Sequence, residues 1–200
     1  AAVVAGALGA GTAPSPFTGA YVMAPLALSL AGSDTQKDNW LPKIAGGDAV
    51  IGMGLSEYIG AREDAGITYS DGKISGRALF VIDGKDADAY ILGNQSGQLF
   101  LIDADSSGID VTDLTTVDKT RDSIELILKE VDAELLPVSE KDPSAINKVI
   151  DTGRLMLSAD TVGASQVMLD KSVAYSLERK QFGRAIGSFQ AVKHMCAEMT

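Results

Sequence analysis

The sequence has few of the residues that build disulfides or metal sites. Its 200 residues include one cysteine, Cys196, and one histidine, His194. One cysteine excludes an intrachain disulfide framework, and the two residues together leave little for a zinc site. They lie two positions apart in a helical pattern and point in different directions, so we do not expect a catalytic pair. The low cysteine content is typical of a reducing compartment, and we expect a cytoplasmic protein.

Positive charge and long apolar runs are also scarce. The 17 Lys and Arg are outnumbered by 27 Asp and Glu, for a net charge of −10. This balance argues against nucleic acid or an anionic membrane surface as a partner. Pro25 interrupts the apolar run at residues 20–31, and residues 1–11 carry no positive charge, so we expect neither a membrane span nor a secretory leader.

Two known patterns, one catalytic and one calcium-binding, are absent or incomplete in the sequence. No Gly-x-Ser-x-Gly elbow occurs. The first half of a calcium-binding loop is imitated, but Leu114 stands where that loop needs a bidentate glutamate. We therefore expect no calcium at the imitating residues, which are Asp103, Asp105, Ser107, Gly108 and Ile109.

Residues 1–50 read as helical pieces. Ser33 and Asp34 are good N-caps, so a helix is predicted to start there. Trp40, Leu41 and Pro42 are expected to close that helix against a core, and the glycines at 46 and 47 end the region. With 46% hydrophobic residues, the chain can bury a core and counts as one or two domains.

From residue 51 onward the apolar pattern changes to short β-type runs. They cover residues 73–82, 89–92, 98–102 and 124–131, and turn residues separate them. This pattern predicts a central antiparallel sheet or small barrel. Residues 137–142 are predicted to be the linker that leads back to helix.

A long helix is predicted from Pro143 to about Lys180, with Asp142 as its cap. Its small residues Ala159, Gly163 and Ala164 would let another helix approach closely, so a bundle is indicated. The predicted apolar stripe follows three- and four-residue steps and comprises Leu155, Ala159, Val162, Leu169, Val173 and Leu177. A second bundle helix is predicted over residues 188–200. The fold class is therefore α+β, with a helical segment, a central β-domain and a C-terminal helical bundle.

Residues 175–190 combine a basic pair, aromatic residues and a glycine at the end of the long helix. A guanidinium fork beside an aromatic face suits an anionic, planar ligand. Cations in a last turn, with a glycine just beyond, are also ordinary helix stop signals. Both interpretations remain open on the residues alone.

Several motifs resemble the acyl-CoA dehydrogenase family. Its C-terminal domain carries Arg-x-x-Phe-Gly followed by Phe-Gln, here Arg179, Phe182, Gly183, Phe189 and Gln190. Residues 36–47 resemble the Trp-Leu-Pro lead into its β-domain, residues 55–57 its Thr-Glu flavin loop, and residues 151–154 its Asp-x-x-Arg. These motifs occur in the family's order over nearly the whole chain.

The resemblance implies a subunit that binds FAD at a subunit interface and oxidises an acyl-CoA between its α and β carbons. It also implies a homo- or hetero-oligomer built as a dimer of dimers, an electron-transfer flavoprotein as electron acceptor, and a place in fatty acid breakdown. Family members are considerably longer. Residues 1–50 are then expected to end an N-terminal helical domain, residues 51–137 to form the β-domain, and residues 138–200 to begin the C-terminal bundle.

The same resemblance assigns site residues. Arg179, Phe182 and Gln190 are expected to reach the partner subunit's FAD on its pyrophosphate and adenosine side. The first flavin loop corresponds to Met53, Leu55 and Ser56, and the second to Phe80, Val81 and Ile82. The positions expected to contact acyl-CoA are Arg62, Asp151 and Arg154, although the last two could equally be structural.

This sequence also departs from the family pattern. Tyr58 replaces a proline, Arg62 replaces a serine that contacts the acyl thioester region, and Ile82 cannot donate the hydrogen bond of a threonine. Gly153 stands where some members carry the catalytic glutamate, so we expect the base beyond Thr200 and assign no catalytic residue. Two hypotheses remain: a working subunit, or a degenerate partner in a heteromer, as in acyl-CoA dehydrogenases that act on steroid side-chain thioesters.

Overall fold

A computed structural model describes residues 1–60 and 62–199 of the chain. They form two compact units. The larger runs from Pro14 to Leu155, and the smaller combines Ala1–Ala13 with the chain from Met156 onward. The predicted domain boundaries after residues 50 and 137 stay predictions, and Thr200, the end of the predicted second bundle helix, lies outside the described residues.

The larger unit begins with three helical elements, namely a π-helical segment Phe17–Met23, α2 Ala24–Ala31 and α3 Asp34–Gly46. α3 starts at a capping box, in which the Ser33 hydroxyl accepts the Gln36 N–H and the Gln36 side chain accepts the Ser33 N–H. Gly47 ends it with φ of 80°. The predicted start is confirmed, but the predicted closure at Pro42 is wrong, because the helix continues through Pro42 to Gly46.

The strands of this unit form one eight-stranded sheet. They are β1 Ile51–Gly54, β2 Gly66–Ser70, β3 Lys73–Ile82, β4 Ala89–Gly93, β5 Leu99–Asp103, β6 Ile109–Asp113, β7 Ser123–Asp132 and β8 Glu134–Leu135. Their order is β6-β7-β3-β1-β4-β5-β8, with β2 also paired to β3. The α+β class is confirmed. One pair departs from the predicted antiparallel arrangement, because β1 and β4 run parallel, with β2 and β3 between them in the chain.

Buried side chains form two clusters. Along β4, Ala89 and Ile91 belong to the first cluster and Tyr90 and Leu92 to the second. This alternation follows from the period of two along a strand, so both faces of β4 are covered. The first cluster includes side chains of the helical elements, whereas the second comes mainly from strands β2 to β7.

The linker predicted at residues 137–142 is a short helix instead, α4 Pro137–Lys141. A proline in the first helical turn lacks only an N–H that has no partner there, so it favours a helix start. The next helix, α5 Ser144–Glu178, has 35 residues and confirms the predicted long helix. Asp142 accepts the Ser144 N–H at 2.9 Å, as expected of a cap.

The smaller unit contains α1 Ala2–Gly11, the later part of α5, a hairpin of β9 Lys180–Gln181 and β10 Arg184–Ala185, a 3-10 turn Ile186–Ser188 and α6 Gln190–Glu198. α1 crosses α5 at backbone distance, since a Cβ on Gly163 would lie 1.9 Å from the Gly6 carbonyl oxygen. The predicted close approach at small residues is therefore present. Val162 and Leu177 on the predicted stripe are each 68% exposed, so the stripe is not buried at these two positions.

Candidate functional site

The two predicted flavin loops of the β-domain meet in one sheet. Met53 pairs with Ile82 across antiparallel strands β1 and β3. The side chains of Met53, Leu55 and Val81 are buried in the two clusters, and Ile82 packs against the first. A ligand at these positions would therefore meet main-chain groups rather than these side chains.

Phe80 differs from its neighbours in both exposure and backbone. Its φ is 54°, in the left-handed region, and its side chain is 45% exposed. The register of β3 against β7 shifts between Ala78 and Val81, which marks a bulge at this point. A bulky residue held left-handed costs about 1–3 kcal/mol and is found mainly where function requires it. The bulge turns one aromatic ring out of a strand whose next residue is buried.

The loop that follows β1 contacts α5. Ser56 is buried, the Glu57 carboxylate accepts the Ile67 N–H at 2.9 Å, and the Tyr58 hydroxyl donates to Asn147 Oδ1 at 3.1 Å. Tyr58, which replaces a proline of the family, thus has a partner on the helix. Asn147 carries no sequence motif and was missed, because its role depends on a residue 89 positions away.

The three predicted substrate residues are all engaged in ion pairs. Asp151 and Arg154 pair with each other at 3.1 Å on exposed turns of α5. Arg62 donates two hydrogen bonds to Asp64, at 2.9 and 3.0 Å. The Arg62 hydrogen bond lowers the pKa of the Asp64 carboxyl, so this carboxylate stays charged beside it. An acyl-CoA would have to compete with Asp64 for the Arg62 fork.

Asp83, directly after Ile82, is a functional candidate that sequence reasoning missed. Its carboxylate is 9% exposed, and Oδ2 accepts the Gly19 N–H at 2.7 Å and the Ala20 N–H at 3.2 Å. Burial raises the pKa of Asp83 above its ordinary value, against the opposing effect of the two backbone hydrogen bonds. A single aspartate in a loop gave no signal, because its partners lie 64 and 63 residues away.

The smaller unit holds the second predicted group, Arg179, Phe182 and Gln190. With Arg184 and Phe189 they form what we call the hairpin cluster. Phe182 and Gly183 form the two-residue turn, with φ of 55° and 78°. Such turns require left-handed backbone at both positions, which explains the glycine. The predicted long helix is thus followed by a tight β-hairpin, and Phe182 at the tip of the hairpin is 92% exposed.

Cations and rings alternate within this hairpin cluster. Arg179 lies over the Tyr175 ring and donates to its hydroxyl. Arg184 stacks 4.1 Å from the Phe189 ring, and Phe182 meets that ring edge-on at 6.1 Å. Sequence reasoning did not assign Arg184 a role, because its contact with Phe189 depends on the turn at Ile186–Ser188 that lies between them. Gln190 lies one helical turn before His194, with 3.2 Å between Nε2 atoms.

Neither a metal site nor a membrane span is found where the chain is described. Among residues 1–60 and 62–199, no three His, Cys, Asp or Glu side chains are grouped so that they could hold a metal ion. No helix within the same residues is long and apolar enough to cross a bilayer. The groups available to bind a ligand are therefore the Phe80 ring, main-chain groups of the sheet, and the guanidinium groups and rings of the hairpin cluster.

Comparison with known families identifies this arrangement. A family model described as "Acyl-CoA dehydrogenase, C-terminal domain" matches residues 144–200, which include all of α5, the hairpin and α6. The chain belongs to the acyl-CoA dehydrogenase family. Members of this family are flavoprotein oxidoreductases, and the chain spans about half the length of the curated relatives it matches.

One relative of this acyl-CoA dehydrogenase chain aligns with all of it. Acyl-CoA dehydrogenase IpdE2 of Mycobacterium tuberculosis is 30% identical over 199 residues, covering 100% of this chain and 51% of the relative. Among solved structures, the steroid ACAD Tcur3481-Tcur3483 is 28% identical with a TM-score of 0.82, covering 98% of this chain and 55% of that one. The family fold therefore extends over both compact units.

A third match shows the same fold. The fold of a glutaryl-CoA dehydrogenase from Mycobacterium smegmatis, solved in complex with FADH2, matches 88% of this chain and 49% of that chain with a TM-score of 0.76 at 23% identity. The exposed Phe80 ring fits a flavin plane, and the Arg179 guanidinium fits a diphosphate. Ile82 offers no hydroxyl for a flavin edge, so the fit in the β-domain is incomplete.

Proposed function

We propose that this chain is a subunit of an FAD-dependent acyl-CoA dehydrogenase that introduces a double bond between the α and β carbons of an acyl-CoA thioester. The proposal depends on one observation. Phe80 on β3 is a half-exposed aromatic residue with left-handed backbone. The bulge lets Ala78 and Val81, three residues apart, both join the second buried cluster, and it leaves the Phe80 ring half-exposed between them. A planar ligand stacked on this exposed ring would use it.

The two groups of residues are proposed to serve different FAD molecules. Phe80, together with the main chain of residues 53–56 and 81–82, would hold the isoalloxazine ring of the chain's own FAD. Arg179, Gln190 and Phe182 would hold the diphosphate and adenosine part of a neighbouring subunit's FAD. When bound, FAD would supply the acceptor for the hydride from the substrate β carbon, and the α-proton would leave to a general base, a role that is assigned to no residue of this chain.

The proposal extends to the substrate and the partners. Asp151 and Arg154 would contact the CoA thioester from the face of α5 that also carries Asn147, and Arg62 would do so only after leaving Asp64. We propose an oligomer built as a dimer of dimers, an electron-transfer flavoprotein as electron acceptor, and a role in lipid degradation in the cytoplasm. The domain boundaries after residues 50 and 137 belong to the same proposal.

A second candidate is a degenerate subunit that completes the FAD site of a different chain. Two observations favour it. Ile82 packs against the core where the family offers a hydroxyl, and Arg62 is tied to Asp64. The likeness to a structure named as a steroid ACAD supports this candidate as well. The hairpin cluster would then bind the FAD of the other chain, while this chain's own flavin loops would bind none.

The visible absorption of bound flavin separates the two candidates. We expect a chain that binds its own FAD to show the flavin band when purified alone, and both Phe80→Ala and Arg179→Ala to reduce it. A degenerate partner would show the band only after co-expression with a paralogous chain. In that mixture Arg179→Ala would reduce it and Phe80→Ala would not.

Matched variants control for folding. Phe80→Tyr and Phe182→Tyr keep an aromatic ring and should retain flavin in any assembly that binds it. A protein that shows no flavin band alone or with any paralogous chain would contradict both candidates.

A further inference from the structure

The Asp83 carboxylate lies at the start of a helical element to which it is not adjacent in sequence. The π-helical segment Phe17–Met23 has no side-chain cap of its own. Asp83 Oδ2 accepts N–H groups of its first turn, from Gly19 at 2.7 Å and Ala20 at 3.2 Å. The Ala20 N–H is shared, because it also donates to the Pro16 carbonyl oxygen at 3.2 Å. The carboxylate thus supplies the side-chain acceptor that the start of this segment lacks.

The close approach is specific to a glycine. A Cβ on Gly19 would lie 2.7 Å from Asp83 Oδ2 and 3.1 Å from Ile82 Cγ1. Contacts shorter than about 3 Å are not tolerated without displacement, so any larger residue would push the loop away. Gly19 therefore lets the helical segment touch both the carboxylate and the end of β3.

The loop that Asp83 anchors is the one that presents Phe80. Phe80 and Asp83 both have left-handed backbone, with φ of 54° and 53°, and only Val81 and Ile82 lie between them. Val81 is buried and Ile82 pairs with Met53, so the sheet holds these two residues in place. The Asp83 carboxylate holds the residue that follows them by bonding to the helical segment.

Holding a carboxylate here has an energetic disadvantage. Burial raises the pKa of Asp83, so the charged form is disfavoured relative to water. Left-handed backbone is tolerated by aspartate and asparagine better than by most residues, which restricts the choice at this position. An acceptor of this size is needed for the two N–H groups and for the turn together.

We propose that Asp83 is a positioning residue that fixes the Phe80 ring by tying the end of β3 to the helical segment Phe17–Met23. This inference rests on the proposed function of Phe80 in flavin stacking. It means that the helical elements before the sheet help to set the flavin-facing geometry.

The first test is a double-mutant cycle on flavin binding by the assembled protein. Asp83→Ala should weaken flavin binding roughly tenfold, the scale of a lost aromatic stacking interaction. In the Phe80→Ala background the same change should have almost no effect, because Asp83 acts through the ring. Additive effects of the two changes would overturn the proposal.

Two variants separate positioning from general destabilisation. Asp83→Asn keeps an acceptor and tolerates the left-handed backbone, so it should restore binding to within about twofold. Asp86→Ala imposes the same backbone strain at φ of 53° on an exposed residue of the same loop and should leave flavin binding unchanged. Equal losses in Asp83→Ala and Asp86→Ala would contradict a specific role.

A flavin-independent measurement keeps this inference distinct from the proposed function. Hydrogen exchange at the amides of Gly19, Ala20 and Ile82 should be faster in Asp83→Ala than in Asp83→Asn. If no assembly binds flavin, the proposed function fails while this measurement still decides whether Asp83 holds the segment. Unchanged exchange at all three amides would overturn the positioning role.

Discussion

Phe80 and Phe182 have nearly the same backbone conformation, with φ of 54° and 55°, but the molecule holds them differently. Phe80 is half-exposed on a bulged strand, between buried neighbours and a loop anchored by Asp83. Phe182 is 92% exposed at the tip of a two-residue hairpin. The first ring is fixed by contacts far apart in sequence, and it is the ring that we propose stacks on the flavin. The second is fixed by local turn geometry and is free to meet another molecule.

The largest test of this contrast uses one glycine from each region. Gly76 has φ of 132°, and a Cβ there would lie 2.1 Å from the Gly66 carbonyl oxygen. Gly76→Ala should lower the free energy of unfolding by about 3 kcal/mol, because strain and overpacking both contribute. Urea unfolding followed by the fluorescence of the single tryptophan, Trp40, measures this loss.

Gly183→Ala is the matched change in the hairpin. Gly183 has φ of 78° and open space around the Cβ position, so only backbone strain of about 1 kcal/mol is expected. The loss should appear as faster amide exchange at residues 180–185. If Gly76→Ala and Gly183→Ala lowered the free energy of unfolding equally, the sheet would not depend more on long-range contacts than the hairpin does.

Truncating each ring is the next test in size. Phe80→Ala should lower the free energy of unfolding by about 1–2 kcal/mol, because about half of the ring is buried. Phe182→Ala should change it by less than about 0.5 kcal/mol, since the side chain is almost fully exposed. Thermal unfolding of both variants beside the wild type checks the difference, and a larger loss for Phe182→Ala would reverse the comparison.

The third test varies pH. Burial holds the pKa of Asp83 above its ordinary value of 3.8, so the folded protein keeps this proton at pH values where the unfolded chain has released it. The stability of the wild type relative to Asp83→Asn should therefore fall as pH rises from 3.8 through the raised pKa, and stay level above it. Urea titrations across this range measure the difference, and a rise with pH would contradict the assigned direction.

Tyr58→Phe should have the smallest effect. It removes the hydroxyl that donates to Asn147, and a hydrogen bond at an exposed site contributes about 0.5–1 kcal/mol. Amide exchange in the loop at residues 56–60 should accelerate without a change in the hairpin. Tyr69→Phe, where the ring stacks 4.7 Å from Phe100, serves as the control and should leave that loop unaffected.

Local signals in the sequence predicted much of the fold. The capping box at Ser33 and the long helix α5 depend on residues within a few positions of one another, and both are present. The family motifs were sufficient to recognise acyl-CoA dehydrogenases from a chain half their length. Short-range chemistry therefore located the elements and the hairpin cluster.

Contacts between residues far apart in the chain could not be predicted in this way. The parallel pairing of β1 with β4 depends on how the chain passes through β2 and β3, not on the residues of either strand. Asp83 and Asn147 acquire their roles from partners more than 60 residues away. The expected closure of α3 at residues 40–42 is wrong because the helix continues past Pro42 to Gly46, where the predicted glycines end it.

The crossing of α1 with α5 has a consequence for the order of folding. Gly6 and Gly163 meet at backbone distance, although all of residues 14–155 lie between the two segments that form the smaller unit. Loop-closure entropy opposes such a contact until the intervening chain is compact. α1 is short and rich in alanine and glycine, so alone in water it is a marginal helix. Although α1 precedes the sheet in the chain, it should thus become stable only after the sheet has formed.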